Sequence, residues 1–289
     1  MSIVDEIKES FKKGSVLTRL IYINIGVFLA IRMIHVFFFL LNQEFTLTNW
    51  LALPADSLQL MQRPWTLLTY MFLHFNFLHI LFNVLMLYWM GKIFLFYFDE
   101  KKLLGVYLLG GLFGGLFFVL AYNFFPAFTE VLSFARLLGA SASVLAIIAA
   151  VATYAPNHAI NLLFIGQVKM KHLALFSIVL YIIGIASSNS GGNLAHLGGA
   201  VFGFFFALQY KKGHDWTKIL TKIIDGMARL FRPNQRIKIT YRSKNDDLDY
   251  NRQKNLKQEE INRVLDKISK SGYDSLTKEE KELLFKMGK

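Results

Sequence analysis

A single histidine interrupts an apolar, glycine-rich stretch at residues 193–203, which read Asn193-Leu-Ala-His-Leu-Gly-Gly-Ala-Val-Phe-Gly203. Gly199 and Gly203 lie four residues apart, a spacing that gives a helix a face on which another helix packs very closely. Residues 141–155 offer a matching surface, with alanine at positions 142, 146, 149 and 150. Packing of these two helices would bring the Ser141 hydroxyl within hydrogen-bond reach of His196.

Ser141 follows Gly139 and Ala140, where an apolar helix is expected to begin. A serine there has small neighbours, unpaired backbone N–H groups beside it, and a helix dipole that favours a developing oxyanion. Taken alone, such a serine is usually a helix cap and a glycine pair is usually a packing feature. Together they favour a hydroxyl nucleophile with a histidine base.

The distribution of acidic residues limits the other kinds of chemistry. No Asp or Glu occurs from Ser57 through Phe98 or from Val131 through His214. This absence argues against an intramembrane aspartyl protease, a His-Glu-x-x-His zinc enzyme and a proton-coupled transporter. It also predicts a serine–histidine dyad without an orienting carboxylate. We expect no metal and no cofactor.

The composition is that of a membrane protein with a charged tail. The chain has 289 residues, of which 54% are hydrophobic, a mean hydropathy of +0.38 and a formal net charge of +12. Residues 211–289 hold 20 of the 32 basic residues. A soluble single-core enzyme and a disordered chain are both disfavoured. The absence of cysteine excludes disulfides, cysteine nucleophiles and thiolate zinc sites.

An all-α, polytopic membrane domain is predicted at residues 17–210. A helical span needs about 20 mainly apolar residues, and six segments are candidates, of which the fourth and fifth are short: Leu17–Leu41, His79–Phe98, Leu103–Phe124, Ser141–Ala155, Leu173–Ser187 and Asn193–Tyr210. Lys and Arg alternate between the connecting segments so that both termini are predicted to be cytoplasmic. The pattern suits a multi-pass protein of a bacterial cytoplasmic membrane.

The remaining segments have different compositions. Residues 1–16 form a cytoplasmic N-terminal segment, and residues 42–73 are apolar enough to lie partly embedded at the outer surface, with Trp50 and Trp65 near the headgroups. We predict a basic amphipathic helix on the anionic cytoplasmic surface at 211–232, a polar linker at 233–258 and a small helical module at 259–289. No stacking-aromatic pattern supports nucleic-acid binding.

The sequence resembles the rhomboid family of intramembrane serine proteases across nearly all of residues 15–210. The resemblance is carried by five stretches in family order: Arg63-Pro-Trp-Thr-Leu-Leu-Thr-Tyr-Met-Phe-Leu-His74, His79-Ile-Leu-Phe-Asn83, Gly110-Gly-Leu-Phe-Gly-Gly115, Gly139-Ala-Ser-Ala142 and Ala195-His-Leu-Gly-Gly199. Arg32 and His35 have no counterpart that we can name.

The resemblance implies a six-helix rhomboid-like bundle in which Ser141 is the nucleophile and His196 the general base. It further implies an oxyanion hole made by the Ser141 amide, His74 and Asn83, with His79 in a structural role near Gly139. Substrates would be transmembrane proteins, and the loop Ser188–Gly192 is a candidate cap over the site. A non-catalytic relative that binds transmembrane clients is the alternative, although such relatives typically lack the serine or the histidine.

Overall fold

Apolar helices make up most of the first part of the chain. The structure, a computed structural model, describes residues 2–162, 166–218, 220–223, 226 and 244–287. The helices of the first part are α1 (Ile3–Lys13), α2 (Val16–Leu40), α3 (Leu47–Leu51), α4 (Ser57–Gln62), α5 (Thr66–Thr69), α6 (Phe77–Tyr97), α7 (Glu100–Phe124), α8 (Ser141–Tyr154), α9 (Met170–Ile183) and α10 (Ser190–Lys211). All six segments predicted as spans are therefore helical.

Two classes of apolar helix can be distinguished by length. Among the described residues, α2, α6, α7 and α10 are long and apolar enough to cross a membrane, whereas α8 and α9 are shorter apolar helices. Polar caps fix where several of them begin. Ser15, Asn76 and Asp99 accept hydrogen bonds from the first-turn amides of α2, α6 and α7, respectively.

Helix α8 lies at the centre of the first unit, and its residues from Ala142 to Ala152 are all buried. It packs against α6, α7, α9 and α10. Glycines permit the closest of these contacts. A methyl group at Gly110 or Gly114 of α7 would lie 2.3 or 2.6 Å from an alanine Cβ of α8. The alanines of α8 are therefore enclosed on two sides.

The segment between α2 and α6 is more deeply packed than the sequence indicates. Its strand β1 (Leu53–Pro54) pairs antiparallel with β2 (Arg136–Leu137), and Tyr70 and Met71 are fully buried. Trp50 and Trp65 are exposed, and their position near the headgroups stays a prediction. The segment is thus partly core rather than a surface element, because its apolar residues contact α7.

Two short strand pairs depart from the predicted all-α class. Besides β1 and β2, strand β3 (Ala159–Leu162) pairs antiparallel with β4 (Gly166–Lys169). This second pair connects α8 to α9, where Gly166 adopts a positive φ of 87°. The rest of the described chain is mostly helical.

A second compact unit begins near residue 232. It contains α11 (Lys244–Ser271) and α12 (Lys278–Met287), with Ile261, Val264 and Leu276 buried. A capping box opens α12, since Thr277 and Glu280 exchange side chain–backbone hydrogen bonds. Helix α11 begins at Lys244, inside the segment predicted as a linker, because that polar sequence continues the helix of the module.

Of the predicted basic amphipathic helix at 211–232, the structure describes residues 211–218, 220–223 and 226. Residues 217–218 and 220–223 are helical. At its start the segment is attached to α7 rather than lying free on a surface. Thr217 is buried where a methyl group at Gly105 would meet it, and Asp215 lies 4.0 Å from Lys102.

The glycine contact between α8 and α10 can be tested by adding one methyl group. A Cβ at Gly203 would lie 2.1 Å from the Ala146 carbonyl oxygen. We expect Gly203→Ala to lower the free energy of unfolding by about 1–3 kcal/mol because of this overlap. Unfolding in mixed detergent micelles, followed by circular dichroism, measures the change.

Gly26→Ala on α2 is the matched control, since, apart from its chain neighbours and the adjacent backbone of its own helix, no described atom lies within 4 Å of a methyl group there. Its stability should be unchanged or should rise by up to about 1 kcal/mol. Equal losses in both variants would contradict close packing at Gly203.

Candidate active site

Ser141 is the first residue of α8, and the backbone before it is held in an unusual conformation. Gly139 has a φ of 127°, a region that favours glycine, and its amide donates to the Tyr70 carbonyl at 2.9 Å. This turn directs the chain from β2 into α8. The first amides of α8 have no acceptor within the helix, so they are available beside the Ser141 hydroxyl.

His196 of α10 reaches this hydroxyl directly. The distance between His196 Nε2 and Ser141 Oγ is 2.6 Å, a normal O–H···N hydrogen bond. The predicted approach of the two helices is therefore present in the structure. It depends on Gly199 as well as Gly203, because a methyl group at Gly199 would lie 2.1 Å from the Ala142 carbonyl oxygen.

The other ring nitrogen of His196 has no carboxylate beside it among the described residues. His196 Nδ1 is buried and has no hydrogen-bond partner in the described part of the chain. The ring instead packs against Tyr181 of α9, with ring centroids 4.3 Å apart and an interplanar angle of 62°. Packing, rather than a third polar residue, orients the imidazole.

Ser141 and His196 face a cavity of about 1120 Å³. Polar residues on its wall include Asn76, His79 and Asn83 of the α6 region, and apolar rings of Phe118, Tyr122 and Phe128 form another side. Residues Ser187–Gly192 also line it. Because α10 begins at Ser190, three of the five residues of the predicted cap, Ser188–Gly192, belong to the first turn of a helix.

The structure brings His79, not His74, into this cavity. A methyl group at Gly139 would lie 2.9 Å from His79 Nε2 and 3.6 Å from Ser141 Oγ, so both atoms border the same small space. The Phe75 amide donates to His79 Nδ1 at 3.3 Å. A neutral His79 with an accepting Nδ1 must carry its proton on Nε2, which then points toward the site as a donor.

His74 lies behind His79, with ring centroids 5.1 Å apart. It lines a second, separate cavity, and neither ring nitrogen has a hydrogen-bond partner of normal geometry among the described residues. Burial lowers the pKa of His74 to about 4, so its ring is neutral at physiological pH. This geometry does not support the oxyanion role that the resemblance implied for His74.

Asn83 lies one helical turn after His79 on the same face of α6. Its Nδ2 donates to the His79 carbonyl at 2.9 Å, which leaves the second amide hydrogen for a ligand in the cavity. Asn83 is 7% exposed and so is held firmly. The site therefore has three hydrogen-bond donors on the side of Ser141: the Ser141 amide, His79 Nε2 and Asn83 Nδ2.

Residues 61–212, more than half of the chain, match the family model described as the Rhomboid domain. This chain belongs to the rhomboid family. The RHOMBOID-like protein 12, mitochondrial, of Arabidopsis thaliana is 30% identical over 203 residues, which cover 67% of this chain and 58% of that protein. The chain thus spans less than two thirds of this relative. Residues 245–287 match a family of unknown function.

The rhomboid match includes all the residues predicted to form the site and excludes α2. Sequence reasoning did not identify the contact of Tyr181 with His196 or the position of His79, rather than His74, beside Ser141. The sequence did contain a signal for the position of His79. His79 and Asn83 have the i, i+4 spacing that places both on one face, whereas His74 lies before the helix. No comparable spacing connects Tyr181 to His196.

Proposed function

We propose that this rhomboid-family protein is an intramembrane serine protease that hydrolyses peptide bonds in or near transmembrane segments. The observation that carries the proposal is the 2.6 Å contact between Ser141 Oγ and His196 Nε2 at the wall of a large cavity. Hydroxyl nucleophiles need an adjacent base, and a histidine at this distance can serve as one.

The Ser141–His196 pair acts as a dyad in this proposal. Neutral His196 accepts the Ser141 proton at Nε2 while the hydroxyl oxygen attacks the scissile carbonyl carbon. The resulting imidazolium gives this proton to the leaving amine as the carbon–nitrogen bond breaks, which leaves an ester on Ser141. Water then attacks the ester carbonyl carbon while His196 accepts its proton. His196 returns this proton to Ser141 Oγ as the carbon–oxygen bond breaks, which releases the acid product and restores the hydroxyl.

The developing oxyanion is stabilised by donors from two elements. The Ser141 amide at the start of α8 supplies one, and His79 Nε2 and Asn83 Nδ2 of α6 supply two more. We therefore assign to His79 the oxyanion role that the family resemblance implied for His74. Donors held in place before the reaction cost no reorganisation when charge develops.

The length of α8 favours a nucleophile below the outer membrane surface. Its 14 residues rise about 21 Å, whereas the hydrocarbon core is about 30 Å thick. We propose six spans, α2 and α6–α10, with the short α8 ending at the cytoplasmic side. Ser141 then lies some 10 Å inside the membrane, where the polar cavity admits water from the outside.

The orientation in this proposal follows the distribution of Lys and Arg, which puts both termini on the cytoplasmic side. The name of the Arabidopsis relative describes a mitochondrial protein. The bacterial cytoplasmic membrane, the anionic lipid contact of the tail and the lack of nucleic-acid binding stay predictions. The substrates we propose are membrane-anchored proteins with a segment that can unwind, because helical hydrogen bonds shield a scissile carbonyl.

Cleavage of a reconstituted single-span substrate tests the function. We expect Ser141→Ala to reduce cleavage to the uncatalysed background, because the nucleophilic oxygen is removed. Ser143→Ala is the matched control on the same helix. Its hydroxyl is buried with no hydrogen-bond partner among the described residues, so its removal should preserve both fold and cleavage.

Equal activity of wild type and Ser141→Ala would contradict the serine-protease proposal. A folded wild type that binds the substrate without cutting it, and that does not react with a fluorophosphonate, would support the client-binding alternative.

The oxyanion assignment predicts unequal effects of the two neighbouring histidines. We expect His79→Leu to lower kcat by about 10²–10³-fold, the effect of removing one oxyanion donor. His74→Leu should lower kcat by less than about tenfold, since His74 does not border the Ser141 cavity. Measurement of kcat in neutral detergent compares them, and a larger loss for His74→Leu would reverse the assignment.

A further inference from the structure

A second cavity, of about 430 Å³, lies between α2 and the segment that leads into α6. Four of its wall residues carry a basic or hydrogen-bonding side-chain nitrogen: Arg32 and His35 of α2, and His74 and Asn76 just before α6. Arg32 and His35 are three residues apart and share one face of the helix. Both lie outside residues 61–212, the part that matches the rhomboid family model.

Arg32 is an isolated cation in an apolar helix. An arginine stays charged at any physiological pH, and a charge at membrane depth is costly without a partner. Its guanidinium donates to the Phe75 carbonyl and lies 5.6 Å from the centre of the Phe28 ring. None of the ion pairs between described residues includes Arg32. This holds even for Glu44, the acidic residue next to the cavity residue Phe45.

His74 provides an independent indication of a ligand. Its side chain is 7% exposed and borders this cavity, yet both ring nitrogens lack a partner of normal geometry in the described residues. Buried polar groups are almost always hydrogen bonded. A ligand that accepts hydrogen bonds and carries negative charge would satisfy His74 and Arg32 together.

We propose that this cavity binds the phosphate group of an anionic phospholipid of the outer leaflet. Arg32 would form a charge-assisted bond to the phosphate, with further donors from His35 and His74. The surroundings favour a lipid over free phosphate. Of an 18-residue apolar stretch of α2, 6% of the residues are buried, against 56% in α7. The α2 surface beside the cavity is therefore available to acyl chains.

The position of Arg32 along α2 suits this occupant. Arg32 precedes Leu40, the last residue of α2, by eight positions, or about 12 Å along the helix axis. Arginine side chains at this depth extend toward the headgroup region while their aliphatic parts stay among the lipid chains. His35 lies nearly one turn closer to that end. The Arg32 guanidinium and the His35 ring thus both lie just below the outer interface of the membrane.

The lipid site adjoins the backbone that positions His79. Thr48, Phe75 and Asn76 line both this cavity and the one that contains Ser141. The Phe75 carbonyl accepts from Arg32, while its amide donates to His79 Nδ1. Lipid binding at Arg32 would therefore restrain the segment that holds His79. The binding proposal itself does not depend on protease activity.

Lipid binding to the purified full-length chain in neutral detergent tests the proposal. Native mass spectrometry would titrate short-chain phosphatidylglycerol, with phosphatidylcholine of the same chains as the comparison. We expect the wild type to prefer phosphatidylglycerol, and Arg32→Gln to weaken the tightest binding at least about tenfold through loss of a charge-assisted bond.

Arg63→Gln is the matched control. Arg63 lies over the Trp50 ring at 4.0 Å and is not part of the cavity wall, so phosphatidylglycerol affinity should be retained. If Arg32→Gln does not fold, His35→Leu provides the second variant, with weakening of about threefold expected from one lost hydrogen bond.

Three results would overturn the proposal. These are equal phosphatidylglycerol affinity in wild type and both cavity variants, equal losses in Arg32→Gln and Arg63→Gln, and equal binding of the two lipids. Displacement of the lipid by millimolar inorganic phosphate, with no dependence on acyl chain length, would identify a free-anion site instead.

Discussion

The structure depends on how closely α7 and α10 pack against α8. The alanines of α8 contact glycines on both sides, Gly110 and Gly114 of α7 and Gly199 and Gly203 of α10. Without side chains at these positions, backbones meet at distances that a single methyl group would prevent. In a lipid environment, where apolar burial does not drive helices together, such packing is a main source of association. The same approach sets the distance between Ser141 and His196, so stability and site geometry share one cause.

The buried polar groups of the apolar helices differ in whether they have a hydrogen-bond partner. Asn24 and Tyr107 bond to each other and connect α2 to α7, and Tyr70 donates to the Gly111 carbonyl. These satisfied groups stabilise the frame. The unsatisfied ones, on His74, Ser143 and His196, lie in or near the functional region. A buried polar atom without a partner costs about 1–3 kcal/mol, so the clusters at His196 and His74 are where ligands would contribute most.

Much of this could be predicted from the sequence, and the failures have physical reasons. The length of the apolar stretches located the six apolar helices α2 and α6–α10, and the spacing of Gly199 and Gly203 predicted the approach of His196 to Ser141. The packing of residues 42–73 could not be predicted, since a buried segment and an interfacial one have similar compositions. The oxyanion role was assigned to His74 from the family resemblance, although the i, i+4 spacing of His79 and Asn83 already favoured His79, and the cavity geometry supports His79 as well. The start of α11 was missed because polar, charged sequence suits a linker and an exposed helix equally.

The central claim is that α8 and α10 together make Ser141 an activated nucleophile. The most direct measurement is reaction of the folded full-length chain with a fluorophosphonate, followed by mass spectrometric location of the adduct. The account predicts one adduct on Ser141 that is lost in His196→Gln, because the base at 2.6 Å is removed. An adduct of equal yield in His196→Gln, or no adduct on Ser141 in the folded wild type, would contradict it.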